Sequence, residues 1–401
     1  MRKLSLTDSV FIGLAAMLGA GVFIVFGPAA ALAGSALQVA ILIAAIVAYL
    51  NAGSVAQLAN RVTRSGGGYA YARVYVSKNF SFLAGASFIV GKIGSSAAIA
   101  LTVGNYVSRD YAVPTAIGAV LLMTLINLAG INRTAFGSKV LAIITIVFLS
   151  VLFFAALAIP SSTDSLGMAN PVSIFSAAAL FFFAFAGYAR IATLGGEVDN
   201  PAKTVPRAIW LSLAMVLVIY LVLSILLVDK LGSVLASTVT PLADLAEQTW
   251  IGGQLIWVFA AMAGLGSLLA LLAGISRTGA EMALDKELPK AFSSKLKNGA
   301  PFLAEVSVAL LIVTLVLSGG VLISLSISSF AILLYYAIVN FAAFRQPPAE
   351  SSRPKVLNLL GVALCLLLAL SVPLEGLVFG VVVLGATMLI RWGLRVARQI
   401  R

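Results

Sequence analysis

The feature that most constrains this chain is a series of apolar segments, each close in length to a membrane-spanning helix. A helix needs about 20 mostly apolar residues to cross a bilayer. We predict one spanning helix in each of Val10–Leu32, Leu37–Leu58, Phe80–Val107, Val113–Leu128, Val140–Ile159, Ile174–Leu194, Ile209–Val228, Ile251–Ile275, Val306–Leu317, Val321–Phe344, Val356–Val372 and Leu377–Ile390. The ninth segment is short, and an alternative is that it merges with the tenth. The expected count is therefore about twelve spans.

The residue composition supports a location in lipid. Hydrophobic residues make up 61% of the 401 residues and charged residues only 10%, whereas soluble domains carry about 25% charged residues. This balance excludes an ordinary water-soluble domain. The lipid bilayer is thus the first predicted partner.

The placement of Lys and Arg tests the span count independently, because these residues collect in cytoplasmic loops. If the N-terminus is cytoplasmic, only Arg109 and Lys230 among the loop residues fall on the opposite side. We therefore predict a multi-pass protein of the inner (cytoplasmic) membrane with both termini cytoplasmic. The net charge of +12 follows from this topology, so no nucleic-acid partner is expected.

The residue types used in most catalytic and metal sites are scarce. The chain has no histidine and a single cysteine, Cys365, which lies in an apolar run and is expected to be a buried packing residue. No acidic residue lies deep in a predicted span, and Glu305 is closest, at the start of the ninth. We predict no enzymatic activity, no metal site and no cofactor.

Two spans contain glycines at positions that favour a broken helix. The first contains Gly19-Ala20-Gly21 and the sixth contains Phe185-Ala186-Gly187-Tyr188. The alternative for such glycines is close helix packing, which we expect at Gly85, Gly91, Gly94, Gly264 and Gly266. A Gly-x-Gly pair lacks the every-fourth-residue spacing of a packing face, which favours local unwinding.

The five-span offset between these two segments is typical of an inverted repeat of two five-helix halves. We predict a single transmembrane domain over residues 1–401. Its first repeat covers about 8–160, its second about 171–345, and two extra helices cover about 356–391.

Two motifs resemble a known family. The segment Gly13-Leu14-Ala15-Ala16-Met17-Leu18-Gly19-Ala20-Gly21-Val22-Phe23 is similar to the GxGxF signature of the amino acid, polyamine and organocation transporter superfamily. The segments from Phe183 to Gly187 and from Gly196 to Ile209, which includes Glu197-Val198-Asp199-Asn200-Pro201, resemble its second signature. The resemblance implies an all-α fold with a five-plus-five inverted repeat, broken helices 1 and 6 and two C-terminal helices. It also implies secondary active transport of amino acids by alternating access.

The chain departs from the family pattern at two places that bear on coupling. Many relatives carry an acidic residue two places after the glycine of the sixth span, where this chain has Ala189 followed by Arg190. Several relatives keep a lysine in the fifth span, where this chain has Thr145. The coupling ion and the substrate class therefore stay open.

A broken helix in a bilayer exposes backbone groups that need polar partners, because each bare group costs several kcal/mol. N–H groups at the first break suit an α-carboxylate, and carbonyls at both breaks suit an α-ammonium. The phenylalanine and tyrosine side chains beside the second break are candidates for contacting the side chain of the substrate and setting its specificity. The predicted substrate-binding residues are Met17, Gly19, Ala20, Gly21, Phe183, Ala186, Gly187 and Tyr188, with Ser95 and Ser96 as weaker candidates that more often bond their own helix.

Two basic residues lie inside predicted spans. Lys92 is close to the membrane midplane, where a charge is costly and therefore functional by default, so we predict that it sets the coupling mode, with a proton as a possible partner. Arg190 lies nearer the cytoplasmic end and is expected to pair with Glu197 as a gate or structural pair. A basic site without a carboxylate favours neutral or acidic amino acids as substrates. The alternatives are a polyamine or cationic amino acid exchanger and a nontransporting amino acid sensor of the same fold.

Overall fold

The regular secondary structure of the chain is helical. A computed structural model describes residues 3–62, 66–130, 135–168, 170–192, 198–253, 255–296 and 298–399. Within these ranges the only β pairing is a single bridge between Leu4 and Val198. The fold is therefore all-α, as predicted.

Seventeen α-helices follow one another along the described residues. They are α1 (Leu6–Leu18), α2 (Gly21–Ile24), α3 (Phe26–Ala33), α4 (Leu37–Ala59), α5 (Gly68–Tyr75), α6 (Lys78–Val107), α7 (Ala112–Leu128), α8 (Ala135–Ala156), α9 (Pro171–Phe185), α10 (Ala189–Ala192), α11 (Pro201–Leu231), α12 (Pro241–Glu247), α13 (Ile256–Leu284), α14 (Phe302–Ser318), α15 (Val321–Arg345), α16 (Lys355–Ser371) and α17 (Leu374–Gln399).

These helices form twelve apolar spans, which confirms the predicted count. Nine segments of the described residues are long and apolar enough to cross a membrane, and α7, α14 and α16 are shorter apolar helices. The ninth span does not merge with the tenth, because the backbone leaves the helix at Gly319 in an extended conformation. We call the face at which α1 begins and α17 ends the terminal side, and the opposite face the outer side.

The structure adds detail that the apolar pattern did not show. Helix α13 continues to Leu284, so it extends beyond Ile275, the predicted end of the eighth span, and includes Arg277. The short helices α5 and α12 lie in connections on the terminal and the outer side, respectively. The predicted boundaries of the two repeats stay a prediction, whereas the two helix breaks five spans apart are present.

The third span is packed closely between its neighbours through small residues. A Cβ atom added at Gly91 would lie 2.6 Å from Ile332 of α15, and one at Gly94 would lie 2.8 Å from the carbonyl oxygen of Ser324. On the face toward α13, a Cβ atom at Gly85 would meet Met282 at 2.6 Å. These contacts confirm the prediction that glycines of this span serve helix packing.

Candidate functional site

The first span is interrupted between α1 and α2, about two-thirds of the way from Leu6 to Ile24. Helix α1 ends at Leu18, Gly19 adopts φ −55° and ψ −94°, and α2 begins at Gly21. The helical hydrogen-bond ladder resumes with the bond from the Val25 N–H to the Gly21 carbonyl at 3.2 Å. The carbonyls of the last turn of α1 therefore lose their helical partners, as expected at a helix end.

The sixth span is tightened rather than unwound. Helix α9 ends at Phe185 and is followed by a 3₁₀ turn, Ala186–Tyr188, before α10 begins. The Ala186 N–H still donates to the carbonyls of Phe182 and Phe183. A 3₁₀ turn inside a helix changes the direction of the side chains without freeing the whole ladder.

The two interrupted segments touch each other through their backbones. A Cβ atom added at Gly21 would lie 2.9 Å from Cα of Ala184, and one at Gly187 would lie 2.7 Å from the backbone nitrogen of Met17. No rotamer change can relieve a contact with a backbone atom. Glycine at Gly21 and Gly187 is therefore what allows the first and sixth spans to meet at their breaks.

Tyr220 of α11 joins the two breaks by hydrogen bonding. Its hydroxyl lies 2.7 Å from the Met17 carbonyl oxygen and 3.2 Å from the Ala184 carbonyl oxygen. The side chain is fully buried, and its ring makes edge contacts with Phe181 and Phe185. A phenol has one proton, so the two carbonyls share it, and the freed carbonyl of Met17 keeps one lone pair for another donor.

The outer side of the breaks is closed. The Tyr106 hydroxyl donates to the Phe23 carbonyl at 3.1 Å, directly beyond the first break. Arg109 forms an ion pair with Asp244 of α12, and Asp244 also accepts a hydrogen bond from Thr238. Helix α12 is thereby held over the outer ends of the first and third spans.

The terminal side of the breaks contains both close packing and open space. A Cβ atom added at Gly13 of α1 would contact the side chain of Ile191, whereas one at Gly274 of α13 would meet nothing within 4 Å. At the terminal end of α13 lies a cavity of about 240 Å³. Its lining comprises Gly66, Arg277, Thr278, Ala280, Glu281, Leu284, Lys295, Gly299 and Pro301.

Lys92 lies in the middle of the third span, half-buried, on the face that α6 turns toward α13. It is the fifteenth residue of the thirty-residue helix α6 and lies seven residues from both Gly85 and Ile99, which contact α13. No carboxylate of the described residues lies within ion-pair distance of its ammonium group. No carboxylate among the described residues therefore neutralises the charge of Lys92.

Sequence comparison agrees with this architecture along almost the whole chain. The profile of the family described as amino acid permease matches residues 4–390. The chain belongs to the amino acid permease family. It is a multi-pass membrane transporter, and the resemblance of its two signature segments is confirmed.

Three relatives illustrate the range of the family. An uncharacterized transporter of Mycobacterium tuberculosis is 40% identical over 395 residues, covering 96% of this chain and 89% of the relative. A branched-chain amino acid permease of Bacillus subtilis is 26% identical, covering 76% and 72% of the two chains. A chloroplastic cationic amino acid transporter of Arabidopsis thaliana is 24% identical, covering 88% and 67%.

The structure of the permease brings together most of the residues predicted to bind substrate. Met17, Gly19, Ala20 and Gly21 lie at the first break, where Gly21 meets Ala184 and Met17 meets Gly187 of the sixth span, whereas Gly19 faces Ser267 of α13. Their role in binding stays a prediction. Phe183 is half-buried beside an apolar cluster, whereas Tyr188 is fully buried and packs against Tyr336 of α15, with ring centroids 5.6 Å apart.

The remaining predicted residues are more dispersed. Arg190 is exposed at the terminal end of the sixth span, and Glu197 lies outside the described residues, so their pairing stays a prediction. Ser95 bonds the Gly91 carbonyl and Ser328, and Ser96 bonds the Lys92 carbonyl at 2.9 Å. Both serines thus bond their own helix, as expected for hydroxyls in transmembrane helices.

Sequence reasoning missed Tyr220, which contacts both breaks. The available signal was a single phenol in the middle of the mostly apolar seventh span. A buried tyrosine hydroxyl usually has a hydrogen-bond partner, and an interrupted helix is where partners are exposed.

Proposed function

We propose that this permease is a secondary active transporter, a symporter or exchanger, that moves amino acids across the cytoplasmic membrane by alternating access. The observation that carries the proposal is the backbone contact of two interrupted spans, at Gly21 with Ala184 and at Gly187 with Met17. Backbone groups at such a junction can bind the α-carboxylate and the α-ammonium groups that all amino acids share. For the site to open to the outer side in an alternating-access cycle, the contacts of Tyr106 with Phe23 and of Arg109 with Asp244 would have to separate.

The proposed site uses backbone groups for the common part of the substrate. N–H groups at Gly19, Ala20 and Gly21 suit the α-carboxylate, because oxyanions bind well to convergent backbone donors. The remaining lone pair on the Met17 carbonyl suits the α-ammonium. Tyr220 orients this carbonyl by occupying its other lone pair.

The surroundings of the first break favour a neutral, apolar side chain on the substrate. Ala20 and Ile24 belong to the same buried apolar cluster as Leu180 and Leu268, with Phe183 packed against it. A second ammonium group on the substrate would be desolvated there without a counter-ion, which is costly. Acidic amino acids are the second choice because Lys92 supplies a positive charge within the third span.

We further propose that Lys92 sets the coupling mode. As a permanent cation it would replace a bound sodium ion, and as a group that loses and regains a proton it would link transport to the proton gradient. Both versions rest on its mid-span position and the lack of a carboxylate partner among the described residues.

Counterflow in proteoliposomes tests the proposed function. Vesicles loaded with leucine, glutamate or arginine are diluted into the same radiolabelled amino acid. We expect accumulation of label with leucine, less with glutamate and none with arginine. Counterflow of arginine alone would support the cationic alternative, and its absence for a full panel of amino acids and polyamines would support a nontransporting sensor.

The substitution Lys92→Met tests the coupling proposal. If Lys92 carries a proton, leucine uptake should no longer respond to a pH gradient while exchange persists. If Lys92 is a permanent cation, both leucine uptake and leucine exchange should become slower without a change in their pH dependence. Lys355→Met, at the terminal end of α16, is the matched control. Full activity of Lys92→Met under every gradient, or sodium dependence of the wild type, would contradict both versions.

A further inference from the structure

A second polar region lies apart from the helix breaks, between spans two, ten and eleven. We call it the amide cluster, and it consists of Asn51, Ser54 and Gln57 of α4, Asn340 of α15, Gln346 just after α15, and Asn358 and Cys365 of α16. Each of these side chains is at most 2% exposed. Seven buried polar side chains in three apolar spans are costly unless their hydrogen bonds are satisfied.

The cluster consists of two hydrogen-bonded groups that follow one another along the helices. At its inner end, Asn51 Oδ1 accepts from Asn340 Nδ2 at 2.6 Å and from the Cys365 thiol at 3.1 Å. In its middle, the Ser54 hydroxyl lies 2.6 Å from Asn340 Oδ1 and 2.9 Å from Asn358 Oδ1. The terminal end is a separate group in which Gln57 Nε2 donates to Gln346 Oε1 at 2.6 Å.

The terminal end of the cluster reaches the protein surface. Gln57 Nε2 also donates to the Ser351 hydroxyl at 3.2 Å, in the connection between α15 and α16. In the same connection, Arg353 lies against α4 where Gly53 leaves room for it, and donates to the Leu50 carbonyl at 3.2 Å. Because Asn358 and Cys365 are seven residues apart, the cluster extends about 10 Å further along α16.

The protein alone does not satisfy the hydrogen bonds of the cluster. Asn51 Nδ2, Asn358 Nδ2, Gln57 Oε1 and Gln346 Nε2 are buried without a protein hydrogen bond of ordinary geometry. A buried polar atom left unpaired costs about 1–3 kcal/mol. Ser54 has only one proton for the two amide oxygens of Asn340 and Asn358. Exchanging the oxygen and nitrogen of Asn358 would therefore give Ser54 a second hydrogen bond, from the amide nitrogen. The exchange would, however, leave the Asn358 oxygen without a donor.

The inner end of the cluster adjoins the break of the sixth span. The buried Tyr188 hydroxyl interacts with the side chains of Asn51 and Tyr336 and lies near Cys365, but it makes no hydrogen bond of ordinary geometry. The row of incompletely bonded polar groups thus runs from Gln346 near the surface to Tyr188 within the span.

The chemistry of these atoms identifies the ligand. They include both donors and an acceptor, and none of the seven side chains carries a formal charge. An ion would match only one of the two kinds of atom, whereas water both donates and accepts and commonly bonds otherwise unsatisfied buried groups. We propose that the amide cluster is a water path that connects the terminal surface with Tyr188 at the sixth-span break, separate from the face of α6 that carries Lys92.

Cys365 provides a direct test, because it is the single cysteine of the chain and lies in the cluster. Its S–H stretching band absorbs in an infrared window free of other protein bands, and transfer into D₂O shifts the band as the thiol exchanges. For the purified wild type in lipid vesicles we expect exchange within the first minutes. The matched control is Ala331→Cys combined with Cys365→Ser, which places the thiol at a fully buried position of α15 outside the cluster. This thiol should exchange about tenfold or more slowly, because it depends on local opening.

A second variant tests the route of the water. Asn358→Leu fills the middle of the cluster with an apolar side chain of similar size and should slow Cys365 exchange about tenfold. Asn127→Leu removes another buried amide, on α7 and outside the cluster, and should leave the exchange rate unchanged. Both variants are first compared with the wild type by thermal unfolding.

Two results would overturn the proposal. If Cys365 exchanges as slowly as the thiol at position 331, the cluster is a dry clamp that holds α16 against α4 and α15. If Asn358→Leu exchanges as fast as the wild type, water reaches Cys365 by another route. If Asn358→Leu does not fold, the comparison between the wild type and the Ala331→Cys control still decides whether the cluster is hydrated.

Discussion

The two interrupted spans differ in how far they leave the helix. At Gly19 the first span loses helical geometry and starts a new helix at Gly21, whereas the sixth span passes through a 3₁₀ turn and keeps its hydrogen bond from Ala186 to Phe182. The first break therefore frees more backbone groups. The sixth break contributes mainly close approach, through Gly187. Symmetric positions in the two halves of the chain thus play unequal parts at the proposed site.

The largest effects are expected where the two breaks touch. Gly21→Val and Gly187→Val each place side-chain atoms into the backbone of the other span, and something must shift because no rotamer escapes a backbone contact. We expect loss of leucine binding and counterflow by about 100-fold or more, since a displacement of about 1 Å at a site costs that much. Ligand-induced thermal stabilisation and counterflow are the measurements.

Gly118→Val is the matched control, because a Cβ atom at Gly118, in the fourth span, meets nothing within 4 Å. It should behave as the wild type. If Gly21→Val retained its leucine affinity, the junction of the breaks would not be the binding site.

The next effect is expected at the hydrogen bond that joins the breaks. Tyr220→Phe removes the proton shared by the Met17 and Ala184 carbonyls, and leaving buried carbonyls without a donor costs about 1–3 kcal/mol. We expect about a tenfold loss of leucine affinity and a lower unfolding temperature. Isothermal titration and thermal unfolding provide the two readouts. An affinity equal to that of the wild type would mean that Tyr220 is only a packing residue.

A smaller effect is expected at the terminal edge of the first break. Gly19→Ala would contact the hydroxyl of Ser267 and lie 2.8 Å from the Ala15 carbonyl oxygen. Part of this contact can be relieved, because the Ser267 side chain can rotate. We expect a several-fold loss of counterflow and partial recovery in the double variant with Ser267→Gly. A double variant as impaired as Gly19→Ala would place the damage in the backbone of α1 instead.

The smallest effect is expected at Tyr188, another fully buried phenol. Tyr188→Phe removes a hydroxyl that interacts with Asn51 and Tyr336 but makes no hydrogen bond of ordinary geometry, so the free energy of unfolding should change by less than about 1 kcal/mol. The comparison with Tyr220→Phe uses the same substitution at two fully buried sites. Equal destabilisation of the two variants would show that the hydrogen bonds of the hydroxyl do not determine the loss in free energy of unfolding.

The sequence predicted the spans well because length and apolarity alone decide them. It also predicted the break at Gly19, where two glycines flank a single alanine. Tyr220 was missed because its hydroxyl is important only through a carbonyl about 200 positions earlier in the chain, a relation that no local pattern contains.

The amide cluster had a readable signal that was not used. Asn51, Ser54 and Gln57 recur every third residue on one face of an otherwise apolar span, which is typical of a polar helix contact. Their partners Asn340 and Asn358 lie on other spans, and packing alone decides which of these helices meet. Cys365 was predicted to be buried and is fully buried, but it also bonds Asn51.

The last span is fastened by a residue near its end. Arg391 of α17, 5% exposed, donates to both carboxylate oxygens of Glu287 at 2.7 and 3.1 Å and to the Asn79 side chain and the Lys78 carbonyl. Glu287 follows the eighth span and Lys78 begins the third, so both are made by the ribosome long before Arg391 emerges. The arrangement implies that assembly of the terminal side is completed only after the final helix has been inserted. Earlier spans must wait in the bilayer for a contact that forms last.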